Sequence, residues 1–338
     1  MELSVQPFHL NLKYPFGVSG HTRTQTPVIY VKLSQDKISG YGEASLPPYL
    51  GLTQDVGLSF LNKVNVNDWH KKDIETIHAE LNKIESGCTA IKAALDIAWH
   101  DWYGKANGIS MRAYYNQKEN ATPEIGFTIG IDTIEVISKK IQEASDFNIL
   151  KVKLGSEDDY SIIKTLRSVT DKPYYVDANQ GWKDLEWAKD FSSYLKENNC
   201  LLIEQPFRKE NLSDTLTLSK YTPLPIILDE GFQRFEDLDK IKGSTLGVNI
   251  KLMKCTGLYE ANRIIDFCKK ENIKLFMGCM NESSCATAAE LILAPFCDYT
   301  DLDGPWLITN DPFEKPKIKN GRILINDFPG LGLSTNLF

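Results

Sequence analysis

From about Glu124 the chain alternates short β-rich runs with ten to fifteen residues of helical periodicity. The runs are EIGFTIGI (124–131), ILKVKLG (149–155), PYYVDA (173–178), LLIEQ (201–205), PIILDE (225–230), LGVNIKL (246–252), IKLFMGC (273–279) and DYTDLDG (298–304). Strand alternating with helix calls for a parallel sheet, since each next strand must be reached by a crossover of about that length. Eight strands with seven helix-sized intervals predict closure into an α/β barrel of the TIM type, a (β/α)7β domain over residues 116–304.

Residues 1–115 read differently. Val28 to Leu33 and Lys37 to Glu43 make a hairpin pattern around the polar turn Ser34-Gln35-Asp36, and helical patterns follow. The clearest runs from Cys88 to Lys105, with apolar residues at helical spacing and Gly104 and Gly108 at its end. This is an α+β domain. Residues 305–338 hold no further β/α unit; ILINDFPGLGL reads as strand and loop, expected to return to the N-terminal domain and complete it.

Parallel barrels build their sites at the C-terminal ends of the strands. Those ends carry Thr128, Lys151 with Lys153, Asp177, Glu204, Asp229, Lys251, Gly278, and Asp301 with Asp303. From Lys153 to Asp177, Glu204, Asp229 and Lys251 the steps are 24, 27, 25 and 22 residues, about one β/α unit each. Charged groups therefore recur at one level around a common centre. A single acid of this kind is equally well a cap for the next helix; three on consecutive strands, each behind an apolar run, are not. Asp177, Glu204 and Asp229, with no Cys or His among them, suit a hard divalent cation, Mg²⁺ or Mn²⁺, rather than zinc.

Lysines flank that set. Lys151 and Lys153 stand at i and i+2 and so share a strand face, while Lys251 comes two strands beyond Glu204, across the barrel mouth. Two such lysines can exchange protons with opposite faces of one carbon, once a cation and the Lys151 ammonium lower their basicity. An isolated strand lysine usually only reaches solvent; the Lys-Val-Lys pair with an opposing lysine does not fit that picture. Lys254 reads as a loop charge. All five histidines precede residue 101, which leaves acid–base work in the barrel to lysine.

Other classes drop out on composition. The formal net charge is −7 with no basic block, against a nucleic-acid partner. No apolar stretch approaches the roughly eighteen residues of a membrane span, and Met1 to Val5 lack the pattern of a secretory signal. Seven scattered cysteines without a C-x-x-C pair read as reduced, buried thiols in a cytoplasm.

Taken in this order and spacing, the Lys-x-Lys of KVKLG, VDANQGW with Asp177 and Asn179, IEQP with Glu204, LDE with Asp229 and NIKLMK with Lys251 resemble the enolase superfamily, in its muconate lactonizing enzyme subgroup. The likeness runs over nearly the whole chain, ALDIAWHDWYGK resembling its capping domain; Thr256-Gly257-Leu258 departs from the family's glycine pair. Within the subgroup the chain is similar to dipeptide epimerases of the L-Ala-D/L-Glu type. That resemblance implies one Mg²⁺ per subunit, replaceable by Mn²⁺, on Asp177, Glu204 and Asp229. Lys153 and Lys251 would be acid and base, and Lys151 the stabiliser of an enediolate. It further implies that Asp301 and Asp303 bind the ammonium of a dipeptide, that Arg23 meets the glutamate side chain, and that Thr128 lies against the substrate. The implied partner is a small dipeptide, with homo-oligomer formation left open. Three alternatives stand beside it. The first is another two-lysine reaction on this scaffold, o-succinylbenzoate synthesis or muconate cycloisomerisation, whose substrates carry no ammonium. The second is a Schiff-base aldolase, which needs one lysine and no acid triad. The third is a non-catalytic binding barrel.

Overall fold

The computed structural model describes residues 1–18, 21–130 and 134–338. Ser19 and Gly20 of the N-terminal loop, and Ile131 at the end of the first predicted barrel strand, lie outside these residues. The chain opens with an antiparallel sheet of β1 (Glu2–Val18), β2 (His21–Gln35) and β3 (Ile38–Ser45), in that order. The sequence showed only β2 and β3. Strand β1 carries Pro7, which an edge strand tolerates because its N–H side can face outward. Its register with β2 shifts between Asn11 and Phe16. There the strand bonds to the far end of the chain instead: Lys13 N donates to Leu307 O at 2.8 Å, and Thr309 N to Asn11 O at 3.0 Å.

Helices α1 (Gln54–Leu61), α2 (Ile74–Ile84), α3 (Thr89–Asn107) and α4 (Met111–Tyr114) follow. Nearly every residue of α3 from Ala90 to Trp102 is buried, polar ones included. A helix with buried residues on every face is packed on all sides. The C-terminal segment returns to it, with Leu331 N donating to Asp101 Oδ1 at 2.9 Å and Met111 N to Gly330 O at 3.0 Å.

The barrel is an eight-stranded sheet in sequence order: β4 (Gly126–Ile129), β5 (Ile149–Lys153), β6 (Tyr174–Asp177), β7 (Cys200–Glu204), β8 (Ile226–Leu228), β9 (Gly247–Ile250), β10 (Leu275–Gly278) and β11 (Tyr299–Asp301). All its strand pairs are parallel, and a bridge from Ile125 to Thr300 brings the two edges together. Helices α5 (Ile134–Glu143), α6 (Asp159–Val169), α7 (Leu185–Glu197), α8 (Leu212–Tyr221), α9 (Leu258–Glu271) and α10 (Ser284–Leu293) fill the intervals, save one. Between β8 and β9 the described chain forms only a 3-10 turn, Phe235–Lys240, where the sequence suggested a helix. The short beta pair β12 (Ile318–Lys319) and β13 (Arg322–Ile323) ends the fold.

The period of two along a strand sets what the barrel holds. Ile149, Tyr175, Leu202, Ile227 and Phe276 pack together as a separate apolar layer inside it. Two residues further along the same strands stand Lys151, Asp177, Glu204, Asp229 and Gly278. A plug of apolar side chains thus forms the floor for a layer of charged ones, and Lys151 Nζ lies 5.5 Å from the Phe276 ring centre.

Candidate active site

Numbering the barrel positions one to eight from β4 to β11 places the charged groups around a ring. Lys151 and Lys153 stand at the second position, Asp177, Glu204 and Asp229 at the third to fifth, Lys251 at the sixth, and Asp301 with Asp303 at the eighth. Lys153 and Lys251 are therefore diametrically opposed. The perpendicular diameter runs from Glu204 to Asp301. A cavity of about 470 Å³ opens above this ring, lined by Arg23, Thr128, Lys151, Lys153, Asp229, Lys251, Asp301 and Asp303 among others. Asp177 and Glu204 are wholly buried beside it. The structure thus gathers every residue singled out from the sequence.

Lys151 stands at the centre. Its Nζ lies 2.6 Å from Asp301 Oδ2, 2.7 Å from Glu204 Oε2 and 3.2 Å from Asp177 Oδ2. Burial alone would discharge it, yet Asp301, Glu204 and Asp177 together hold it well above the ordinary lysine range. Lys153 Nζ meets Asp177 Oδ2 at 2.6 Å, and Lys251 Nζ meets Asp229 Oδ2 at 2.7 Å. Each lysine of the opposed pair therefore rests on an acid of its own.

Lys254 corrects the sequence reading. It is no loop charge: it is 2% exposed, and its Nζ bonds Asp229 Oδ1 at 2.6 Å, Asp229 O at 2.8 Å and Asn249 O at 2.9 Å. Burial works against the ionised form of Asp229, but Lys251 and Lys254 hold its carboxyl well below the usual range. Four further residues were missed. Asn249 Nδ2 donates to Glu204 Oε1 at 2.7 Å, and its place two residues before Lys251 on the same strand face was the signal that could have found it. Gln205 Oε1 accepts from Asp229 N and Gly231 N, both at 2.9 Å, tying the end of one strand to the next. Cys279 lines the cavity and its Sγ sits 3.1 Å from Asp301 O. Glu230 lines the cavity beside Asp229. Gly278 is required by close approach: a Cβ there would lie 2.5 Å from Asn249 Oδ1 and 2.9 Å from Asp301 Oδ1.

The eighth-position acids are held from behind. Thr128 N donates to Asp303 Oδ2 at 2.6 Å, which makes Thr128 a backbone support for Asp303. Burial pushes both carboxyls up, Asp301 to about 6 in spite of Lys151 and Lys251. Neither acid is fully compensated by the protein around it.

As to a metal, among the described residues no three His, Cys, Asp or Glu side chains are drawn together closely enough to hold an ion as they stand. The reason is visible in the ring: the lysine ammoniums take the carboxylate oxygens. The donor set nonetheless fits a cation. Glu204 Oε2 lies near Lys151 without hydrogen-bond alignment, and Glu230 Oε2 is buried without a hydrogen-bond partner. Burial and Asp177 push Glu204 up to about 7, and burial with Asp229 and Asp177 does the same to Glu230. Negative charge exceeds what the lysines neutralise there. Asp177, Glu204 and Asp229, all oxygen donors, are the residues that could hold a hard divalent ion.

Comparison with known proteins agrees with this architecture. Residues 1–113 match the mandelate racemase / muconate lactonizing enzyme N-terminal domain, and residues 136–337 the enolase C-terminal domain-like family. The chain belongs to the enolase superfamily, in its mandelate racemase and muconate lactonizing enzyme branch. It is 43% identical over 335 residues to the L-Ala-D/L-Glu epimerase of Bacteroides thetaiotaomicron, covering 98% of this chain and 88% of that one. It is 31% identical over 336 residues to the L-Ala-D/L-amino acid epimerase of Flavobacterium johnsoniae, covering 99% of each. Among solved structures, the dipeptide epimerase from Enterococcus faecalis complexed with Mg and L-Leu-L-Tyr matches with a TM-score of 0.89 at 27% identity, over 98% of both chains. Among the described residues no helix is long and apolar enough to cross a membrane.

Proposed function

We propose that this chain is a dipeptide epimerase that inverts the α-carbon of the C-terminal residue, acting on L-Ala-D/L-Glu. The observation that carries the reading is the crossing of two diameters. Lys153 faces Lys251 along one, and a triad of acids faces Asp301 and Asp303 along the other. The named relatives, epimerases of such dipeptides, support it.

A dipeptide laid along the second diameter turns its carboxylate toward Asp177, Glu204 and Asp229 and its ammonium toward Asp301 and Asp303. The reacting carbon then lies between the two lysines. Asp177, Glu204 and Asp229 would hold Mg²⁺, which when bound would supply Lewis-acid stabilisation of the charge that grows on that carboxylate. Lys151, kept as an ammonium by its three acids, adds fixed positive charge under the place where the enediolate forms. One of Lys153 and Lys251 takes the α-proton as the free amine. The other, as the ammonium, delivers a proton to the opposite face. Inversion results, and the reverse reaction exchanges their roles. Arg23 lines the cavity from the N-terminal domain and is assigned to the glutamate carboxylate, which a planar guanidinium can hold in a two-point contact. Mn²⁺ is assigned as a working substitute for Mg²⁺. The seven cysteines are free, in keeping with a reducing compartment, and we place the reaction in the cytoplasm.

The test is proton exchange in deuterated water. L-Ala-L-Glu with enzyme and Mg²⁺ should lose its glutamate α-proton signal and give L-Ala-D-Glu, and excess EDTA should stop both. A panel of dipeptides that shows no α-exchange at all would remove the assignment.

A further inference from the structure

The acids of the ring have different partners. Asp177, Glu204 and Asp229 each lie within 3.2 Å of a lysine ammonium. Glu230 does not: among the described residues no ammonium pairs with it. It still faces the same cavity, because the chain after β8 wraps around the Gln205 amide, which takes both Asp229 N and Gly231 N. One oxygen of Glu230 is tied back, Oε1 accepting from Asn179 Nδ2 at 3.3 Å. The other, Oε2, is buried and unpaired. Asn179 is itself fixed at both ends. Its backbone takes the left-handed conformation, φ 42°, and its N–H donates to Asp177 Oδ1 at 3.0 Å. A single asparagine thus joins the acid of the third barrel position to the carboxylate that follows the fifth.

We infer that Glu230, braced by Asn179, is a fourth carboxylate of the cation site, acting on the ion's water ligands rather than on the ion. This rests on the metal-dependent reading above. Mg²⁺ gives up its waters reluctantly and keeps several of them beside its carboxylate ligands. A water held by the ion is a strong donor, and Glu230 Oε2 is an acceptor with nothing to accept from within the protein. With Asn179 on its other oxygen, Glu230 is restrained from swinging in to displace that water. The substrate ammonium is not its partner, because Glu230 sits beside Asp229 on the acid side of the ring, away from Asp301 and Asp303. Outer partners of this kind typically contribute roughly ten- to a hundredfold to metal affinity.

Titrating metal-stripped protein with Mn²⁺, and reading free ion by electron paramagnetic resonance, tests the assignment without any turnover measurement. Glu230→Gln keeps the shape but turns an amide N–H₂ where the carboxylate oxygen was. It should raise the Mn²⁺ dissociation constant at least about tenfold, and Asn179→Ala should raise it in the same direction by less. Thermal melts without metal should show Glu230→Gln no less stable than wild type, since it removes a like charge from beside Asp229. A dissociation constant within twofold of wild type overturns the inference while leaving the epimerase reading intact. A wild-type protein that binds no Mn²⁺ overturns both.

Discussion

Lys153 and Lys251 differ in address but not in kind: each projects into the same cavity with an aspartate at about 2.6–2.7 Å. In the proposed two-base scheme each serves one face of the carbon, so Lys153→Ala and Lys251→Ala should each lower epimerisation by about 10²–10⁴-fold or more. Each single variant should still wash deuterium into one stereoisomer through its surviving lysine, as proton NMR in deuterated water would show. A Lys251→Ala protein that epimerises at nearly the wild-type rate rules out the two-base scheme. Asp301 and Asp303 make a second demand. Buried and undercompensated, they call for a positive group, so N-acetyl-L-Ala-L-Glu should lose about 2–5 kcal/mol in kcat/KM against the free dipeptide. Equal turnover of the two would dismiss the ammonium assignment. On the proposed assignment of Arg23 to the glutamate side chain, Arg23→Ala should depress kcat/KM for L-Ala-L-Glu far more than for L-Ala-L-Ala. An equal loss on both would leave epimerisation standing and take glutamate away.

At the scale of elements, the barrel strands were readable because the interior is consistent. All but β10, which ends at Gly278, are short apolar runs with a polar residue at or near their ends, and the period of two assigns that residue to the mouth. What stayed hidden was whatever depends on long-range contact. Lys254 looked like a loop charge because burial by Asp229, 25 residues upstream, leaves no local mark. The turn between β8 and β9 has the length of a helix but forms a 3-10 segment around Arg234, whose guanidinium reaches Glu260 at 2.6 Å. A further surprise is a pair of buried acids, Glu282 just before helix α10 and Glu290 within it. Their mutual contact is a hydrogen bond only if one carboxyl carries a proton. Burial pushes Glu282 up to about 7, and burial with Glu282 pushes Glu290 well above its ordinary 4.5. The folded protein therefore holds protons here that the unfolded chain releases above about 4.5. The pair's stabilisation is complete below that value and is lost as pH rises through about 7. Glu290→Gln should accordingly raise the unfolding free energy at pH 8 relative to wild type, by about 1–3 kcal/mol at most, and do less at pH 5. A difference independent of pH would exclude the shared proton.

For the molecule as a whole, the two domains are joined through helix ends. Asp96, on the buried helix α3, accepts from Leu258 N at 2.7 Å and Tyr259 N at 3.3 Å, at the start of barrel helix α9. Gly257 makes room for it, with φ 113° and a site where any Cβ would stand 2.4 Å from the Asp96 carboxylate. Glu43, on β3, accepts from Ser283 N at 2.9 Å and Ala286 N at 3.2 Å at the start of α10. A carboxyl oxygen at a helix N-terminus satisfies free N–H groups, and an ionised one also meets the positive end of the dipole; burial, with Glu282 nearby, pushes Glu43 up to about 8. Asp96→Ala should therefore lower stability by about 1–2 kcal/mol, with one cooperative melt retained. A variant as stable as wild type would mean the domains are held elsewhere.

Those two carboxylates also bear on how such proteins can be recombined. An N-terminal domain that lines the cavity through Arg23 looks like a detachable module, to be traded between relatives while the barrel stays put. Here the module supplies the caps of two barrel helices that lead away from the strands bearing Lys251 and Gly278. A chimera that imports a foreign N-terminal half without acids at positions 43 and 96 leaves those helix ends bare behind the strands of Lys251 and Gly278. Breeding new dipeptide preferences by swapping halves thus requires the graft to carry both acids, and the barrel to keep Gly257 to receive one of them.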